Sequence, residues 1–427
     1  MAPSFINTFP YNNNLYERCQ LIPGQRSLYE ELEGYLRLKR YPFHMPGHKG
    51  NKAFMPPIPL ESLDVTELKE TDNLHDPTGC IAETERRISE FYGADESFLL
   101  VNGSTAGIIA AICATCGEGD HIAVDRRCHR SVHSGMVLSG ARPIYFWPGQ
   151  MDVPDAKAVI VTSPTYEGSV LDIASLCKKG NILIVDEAHG AHFPFHPIFP
   201  QSALAQGADI VVHSFHKTLP AFSQSAVVHI KEGTVNTNRL RRFLSYVQTS
   251  SPSYLMMAQV DYMLNLLWAS PAYFERYVEG LLSLRKTLGG LLLPNDDMGK
   301  LLLCISNGHE LEENHSLAFE MVMPKYTLAM TSVADTEEGF NRLVAAVKSV
   351  KGATYNPQFQ NPDLPEVVLS PKEAMGKKTR KAMLSKSIGE ISGSFIAPVP
   401  PGIPLIVPGE RIKEIDIPDC EIEVLLL

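Results

Sequence analysis

The chain of 427 residues has no apolar run near the roughly 18 residues that a membrane-crossing helix needs. Its start, "MAPSFINTFPYNNNLYERC", lacks the basic and then apolar order of a secretory signal. Both absences lead to the expectation of a cytoplasmic protein with no membrane partner. Cysteine is sparse: eight scattered residues exclude a disulfide scaffold and fit a reducing compartment. One pair, Cys113 and Cys116, has CxxC spacing, but no second pair and no redox-type βαβ context accompanies it. Small core residues are therefore expected there rather than a metal or redox site. A basic excess is missing as well, since 38 Lys and Arg stand against 48 Asp and Glu, a net charge of −10. With no basic stripe and no aromatic ladder between arginines, nucleic acid is not an expected partner. No repeat at a period of about 20 to 50 residues is visible.

What is present is the composition of an ordinary globular protein, 44% apolar and 20% charged. Residues 1–60 read as a polar arm with one amphipathic helix, Ser27 to Tyr41, ending in "HMPGHKG". A loop-rich stretch and an acidic amphipathic helix, "IAETERRISEFYG", follow. From Ser97 short β-rich runs alternate with helical segments: "SFLLV", "HIAVD", "RPIYFW", "AKAVIVTSP", "NILIVDEAHG", "ADIVVHSFH" and "SAVVHI". Strands apolar on both faces and interleaved with helices indicate an α/β domain around a mostly parallel seven-stranded sheet, here 61–295. Helices dominate from Thr234 to Leu292, and a smaller α+β carboxy-terminal domain, 296–427, closes the chain.

Three features carry chemistry. "VNGSTAG" follows a strand and opens a helix; Gly103 permits a tight turn, and Ser104 and Thr105 add hydroxyls at a helix start, which suits a phosphate group or simply caps the helix. Asp186 ends the strand "ILIVD", where ligands bind in open α/β sheets. The string DEAH also occurs in helicases, but the GxxxxGK[ST] loop they need is missing. Lys217 follows the next strand, with His213, Ser214 and His216 around it; burial would lower its pKa and free a neutral amine to attack an aldehyde, whereas alone it would read as a surface lysine. Phosphate cradle, strand-end aspartate and strand-end lysine, in that order, meet the needs of pyridoxal 5′-phosphate: a helix terminus, a carboxylate for the pyridine nitrogen and an amine for the aldehyde. His189 and His192 have HxxH spacing, but no third ligand is evident and no metal is expected.

These motifs resemble those of the Orn/Lys/Arg decarboxylase family of fold-type-I pyridoxal-phosphate enzymes, in the compact form without an amino-terminal wing domain. The similarity runs from "FHMPGHKG" through "FLLVNGSTAGIIAAI", "VTSPTYEGSVLDI", "IVDEAHGAHF", "HSFHKTLPAFSQ" and "QTSSPSYLMMAQVD" to "PPGIPLIVPGE". It implies decarboxylation of lysine, ornithine or arginine to a diamine or agmatine. By resemblance Lys217 is the Schiff-base lysine, Asp186 the partner of the ring nitrogen, Ala188 the small residue under the ring and His129 the residue stacked on its face. Gly103, Ser104, Thr105, Ser214 and His216 match the phosphate and lysine surroundings, Thr165 a residue near the ring hydroxyl, and His189 a neighbour of the cofactor. Thr249 and Ser250 lie in "QTSSPSY", a segment expected to reach the partner's cofactor phosphate in a homodimer with shared sites, or to cap a helix with Pro252 in its first turn.

The carboxy-terminal stretch departs from the family pattern: Ser394 stands where a glutamate is expected and Val399 where a tyrosine is expected. That departure keeps two alternatives open. One is a fold-type-I enzyme of another reaction or amino acid, such as an aminotransferase or lyase; the other is a cofactor-binding homologue with little turnover.

Overall fold

The computed structural model describes residues 27–177, 180–233, 235–350, 363–397, 403–415 and 417–426. After the helix Leu28–Arg37, whose start is closed by a capping box of Ser27 and Glu30, a short strand β1 (Tyr41–Phe43) leads into the "HMPGHKG" segment. The seven strands expected from the sequence form one sheet: β2 (Glu96–Leu100), β3 (His121–Asp125), β4 (Arg142–Phe146), β5 (Ala158–Thr162), β6 (Ile182–Asp186), β7 (Ile210–His213) and β8 (Ala226–Ile230). Their order is β2-β8-β7-β6-β5-β3-β4. All run one way except β8, which is antiparallel to both β2 and β7.

Alternation along these strands builds two cores. Ile122 and Val124, Ile160, Ile184, Ile210 and Val212 face one side, where they meet the helices Gly103–Thr115, Arg130–Ser139 and Thr237–Val247. Ala123, Val159 and Val161, Leu183 and Val185, Val211 and Val227 face the other, against the helices Cys80–Tyr92, Tyr254–Ala269 and Ala272–Leu288. Being buried on both faces is what makes these strands read as continuous apolar runs. Cys113 and Cys116 are free buried thiols at the end of the helix Gly103–Thr115, and burial pushes the Cys113 thiol up to about 11.

Among its described residues the carboxy-terminal third holds two small sheets of its own. β9 (Lys300–Leu303), β11 (Met321–Val322) and β12 (Thr327–Met330) form the first, in the order β11-β12-β9; β10 (Leu317–Phe319) instead pairs in parallel with β1. The second joins β13 (Thr379–Met383) to β14 (Glu421–Leu425) around Leu384, Ile396, Ile406 and Val424. The helix Arg130–Ser139 begins where the His129 ring accepts the Ser131 N–H and makes His129 the cap. One local expectation shifts: in "QTSSPSY", Ser253 caps the helix Tyr254–Ala269, so Pro252 precedes the cap and is not in the first turn. Among the described residues no helix is long and apolar enough to cross a membrane.

Candidate active site

Every strand that carries a candidate residue delivers it from its carboxyl end. Asp186 closes β6 and is 5% exposed; its Oδ1 accepts the Ala188 N–H at 3.2 Å. Because side chains alternate along β6, Asp186 shares a face with Ile182 and Ile184, toward the helix Gly103–Thr115. Ser214 follows β7 as the N-cap residue of the short helix Phe215–Thr218, which presents Lys217. The helix Gly103–Thr115 starts with Gly103 at φ +71°, a left-handed conformation that favours glycine, and its cap Asn102 makes no side-chain hydrogen bond to the first turn. Ser214 Oγ donates to Ser104 Oγ at 2.7 Å, joining the phosphate-type loop to the lysine loop.

A cavity of about 520 Å³ opens on one side of these residues and a second of about 400 Å³ on the other; His129, Asp186 and Lys217 line both. Gly103, Ser104, Thr105 and His216 belong to the second, while Thr165, Ala188 and His189 belong to the first. Lys217 Nζ lies 3.1 Å from His189 Nε2. Desolvation lowers the Lys217 pKa, opposed by the charge of Asp186. Burial also holds His189 far below the usual histidine value, and its Nδ1 is buried without a hydrogen-bond partner among the described residues. His216 is pushed down to about 4 by burial, and its Nδ1 meets the Ser225 carbonyl at 3.0 Å. His129 is lowered too, chiefly by desolvation; since its Nδ1 accepts from Ser131, the neutral ring presents Nε2–H.

Not every expected residue is part of this cluster. Thr249 and Ser250 are exposed and outside both cavities; the Thr249 carbonyl meets His75 Nε2 at 2.9 Å. His192 turns away from His189 to Asp297, at 3.2 Å. Among the described residues no group of three or more His, Cys, Asp or Glu is placed to hold a metal ion. Ser394 lines neither cavity: its Oγ accepts the Glu423 N–H at 3.2 Å. Val399 lies outside the described residues.

Other residues at the cavity were not singled out from sequence. Met45 of "HMPGHKG" lines it, and Gly47 N–H donates to the His216 carbonyl at 2.7 Å, so this segment covers the lysine loop of its own chain. Ile403 lines it from the carboxy-terminal stretch, which Arg126 ties down through the carbonyls of Pro404 and Leu405 and the buried carboxylate of Glu410 at 3.0 Å. Glu167 and Arg127 add charge to the wall. Glu167 sits two residues after Thr165 in "SPTYEG", so a carboxylate beside an expected ligand was the available signal.

The family model for the Orn/Lys/Arg decarboxylase major domain matches residues 26–153 and 149–291, and that for the carboxy-terminal domain matches 353–421. The chain belongs to the Orn/Lys/Arg decarboxylase family. It is 32% identical to the uncharacterized protein YaaO of Bacillus subtilis, over 91% of this chain and 92% of that one. It is 28% identical to an arginine decarboxylase of Bacillus anthracis, over 88% and 89%. Its fold matches lysine decarboxylase A from Pseudomonas aeruginosa with a TM-score of 0.72 at 19% identity, covering 93% of this chain and 82% of that one. The fold is thus the fold-type-I architecture expected from sequence, and the chain is a decarboxylase.

Family and fold point to pyridoxal 5′-phosphate as the cofactor, and the donor set fits it. An amine with lowered pKa, a buried carboxylate at a strand end and a helix start without a side-chain cap surround the smaller cavity. Ala188, 4% exposed, keeps one wall of the larger cavity small.

Proposed function

We propose that the protein catalyses the pyridoxal-phosphate-dependent decarboxylation of a basic amino acid, lysine, ornithine or arginine, to a diamine or agmatine plus CO2. The observation that carries this reading is Lys217 Nζ at the junction of two cavities, beside Asp186 and the uncapped helix start. Lys217 would hold the cofactor aldehyde, and Asp186 the ring nitrogen. Gly103, Ser104, Thr105, Ser214 and His216 would hold the phosphate, while His129, Ala188 and Thr165 would bound the ring. When bound, the cofactor supplies an electron sink for the pair left by the breaking Cα–carboxylate bond.

The chain's own groups do the rest. Burial lowers the Lys217 pKa and so favours the neutral amine that acts as nucleophile. The hydrogen bond between Lys217 Nζ and His189 Nε2 fixes the direction of the amine. Asp186, taken out of water at a strand end, presents fixed negative charge where a protonated ring nitrogen needs it. Met45 and Ile403 close apolar surface over the cavity and limit water at the carbon that is reprotonated. Thr249 and Ser250, exposed and free of this chain's cavities, suit a role at a partner's site in a homodimer.

The test is to load the purified protein with pyridoxal phosphate and supply a panel of amino acids. Diamine or agmatine with stoichiometric CO2 is expected. Keto acid or ammonia without CO2 would sink the proposal in favour of another fold-type-I reaction.

A further inference from the structure

We propose that Glu167 receives the distal cation of the substrate and so sets the preference for basic amino acids; this rests on the decarboxylase reading above. A bound ammonium or guanidinium group inside a cavity needs a carboxylate, because an unpaired buried charge is strongly disfavoured. Among the described residues lining the 520 Å³ cavity, the carboxylates are Asp186 and Glu167. Asp186 sits at the end of β6, where it is assigned to the cofactor ring. Ser394, which stands where the family pattern has glutamate, is engaged with the Glu423 backbone elsewhere. Glu167 is the acidic wall that remains.

Its surroundings leave it available. Tyr326 Oη donates to Glu167 Oε1 at 3.0 Å. Of the cations that approach it, Arg127 Nε lies 3.2 Å from Asp125 Oδ1, and Lys300, which feels the charge of Glu167, spends Nζ hydrogen bonds on the carbonyls of Thr165 and Tyr166, each at 2.8 Å.

The residue is also held in place before any substrate arrives. It rides on a turn in which Gly168 takes φ +98°, Gly168 N–H donates to the Thr165 carbonyl at 3.0 Å and Thr165 N–H to the Ser169 carbonyl at 2.8 Å. The loop before β9 fastens that turn: Asp296 and Asp297 N–H reach the Gly168 carbonyl at 3.1 and 2.9 Å, and Asn295 Nδ2 the Glu167 carbonyl at 3.0 Å. A carboxylate on so fixed a turn binds a cation with little ordering cost.

The experiment compares holoenzyme of the parent, Glu167→Gln and Glu167→Asp. Steady-state kinetics use arginine, lysine and ornithine; calorimetry uses agmatine, cadaverine and putrescine, with citrulline, norleucine and norvaline as uncharged counterparts. For the amino acid the parent turns over, Glu167→Gln should raise KM about 10- to 100-fold with far less change in kcat. It should weaken binding of the matching amine by a similar factor and leave the uncharged counterpart unchanged; Glu167→Asp should recover part of the loss. Parent-like KM and amine affinity in Glu167→Gln would overturn the assignment, as would an equal loss for the uncharged counterpart. If the parent releases CO2 from none of the three amino acids, the decarboxylase reading itself fails and this inference falls with it.

Discussion

The two faces of the sheet at the ends of β6 and β7 carry the same kinds of residue to opposite ends. Asp186 and Lys217 open onto cavities; Glu187, His213 and His229, on the other phase of the strands, lie in the opposite core. There Ser97 Oγ meets His229 Nδ1 at 2.8 Å, His229 Nε2 meets His213 Nδ1 at 3.0 Å, and His213 Nε2 meets Glu187 Oε2 at 2.8 Å. The other Glu187 oxygen accepts the Ala203 N–H at 2.9 Å, and Tyr92 lies against both imidazoles. Every side-chain polar atom of that series is paired. Ionisable side chains at strand ends are thus open to a ligand where they line a cavity, and stabilise the fold where they close on one another.

Substitutions on the two faces should therefore separate activity from stability. The largest effect is expected at Lys217→Ala: CO2 release lost and the cofactor's visible absorption band with it, while the melting temperature of the protein without cofactor stays near that of the parent. Asp186→Asn should lower kcat by about 10²-fold or more, read by steady-state kinetics under saturating cofactor. On the closed face, His213→Ala leaves the Glu187 carboxylate without its partner and should cost about 3 to 5 kcal/mol of stability, read by urea denaturation, with kcat of the folded fraction changed far less than by Asp186→Asn.

Acid should act through the closed face too. His229 is fully buried and held well below its ordinary 6.5, first by burial and then by His213. Below pH 6.5 the unfolded chain therefore binds a proton that the folded chain refuses, so this residue's contribution to stability falls as pH falls. His229→Gln should make the slope of stability against pH below 6.5 shallower, by at most about 1.4 kcal/mol per unit. The smallest effect is expected at Ser394→Ala, about 1 kcal/mol of stability for one backbone-directed hydrogen bond, with KM unchanged.

The sequence made one face of this comparison legible and left the other unread. Asp186 and Lys217 stood out because each follows a continuous apolar run, and the ends of such strands are where α/β sheets bind ligands. The same runs hold His213 and His229, in "IVVHS" and "AVVHI", at positions in phase with Val211 and Val227; the two-residue period marks them as inward-facing but does not say what they meet. Glu187 was read past because its neighbour explained the motif. Glu167, Lys300 and Glu320 come together across more than a hundred residues of chain, through Lys300 Nζ on the Thr165 and Tyr166 carbonyls and Tyr166 Oη on Glu320. Spacing along the chain carries no trace of such contacts. The same holds for "HMPGHKG", whose Gly47 bonds to the lysine loop while its Met45 N–H bonds to Glu320 at 2.9 Å.

The central claim is that the open face, through Lys217, makes this chain a decarboxylase of a basic amino acid. Its most direct test is CO2 measured together with amine product from arginine, lysine and ornithine, for parent and Lys217→Ala holoprotein side by side. The account predicts one mole of CO2 per mole of agmatine, cadaverine or putrescine from the parent and none from the variant. Turnover that survives the loss of Lys217, or a parent that converts none of the three, would contradict it.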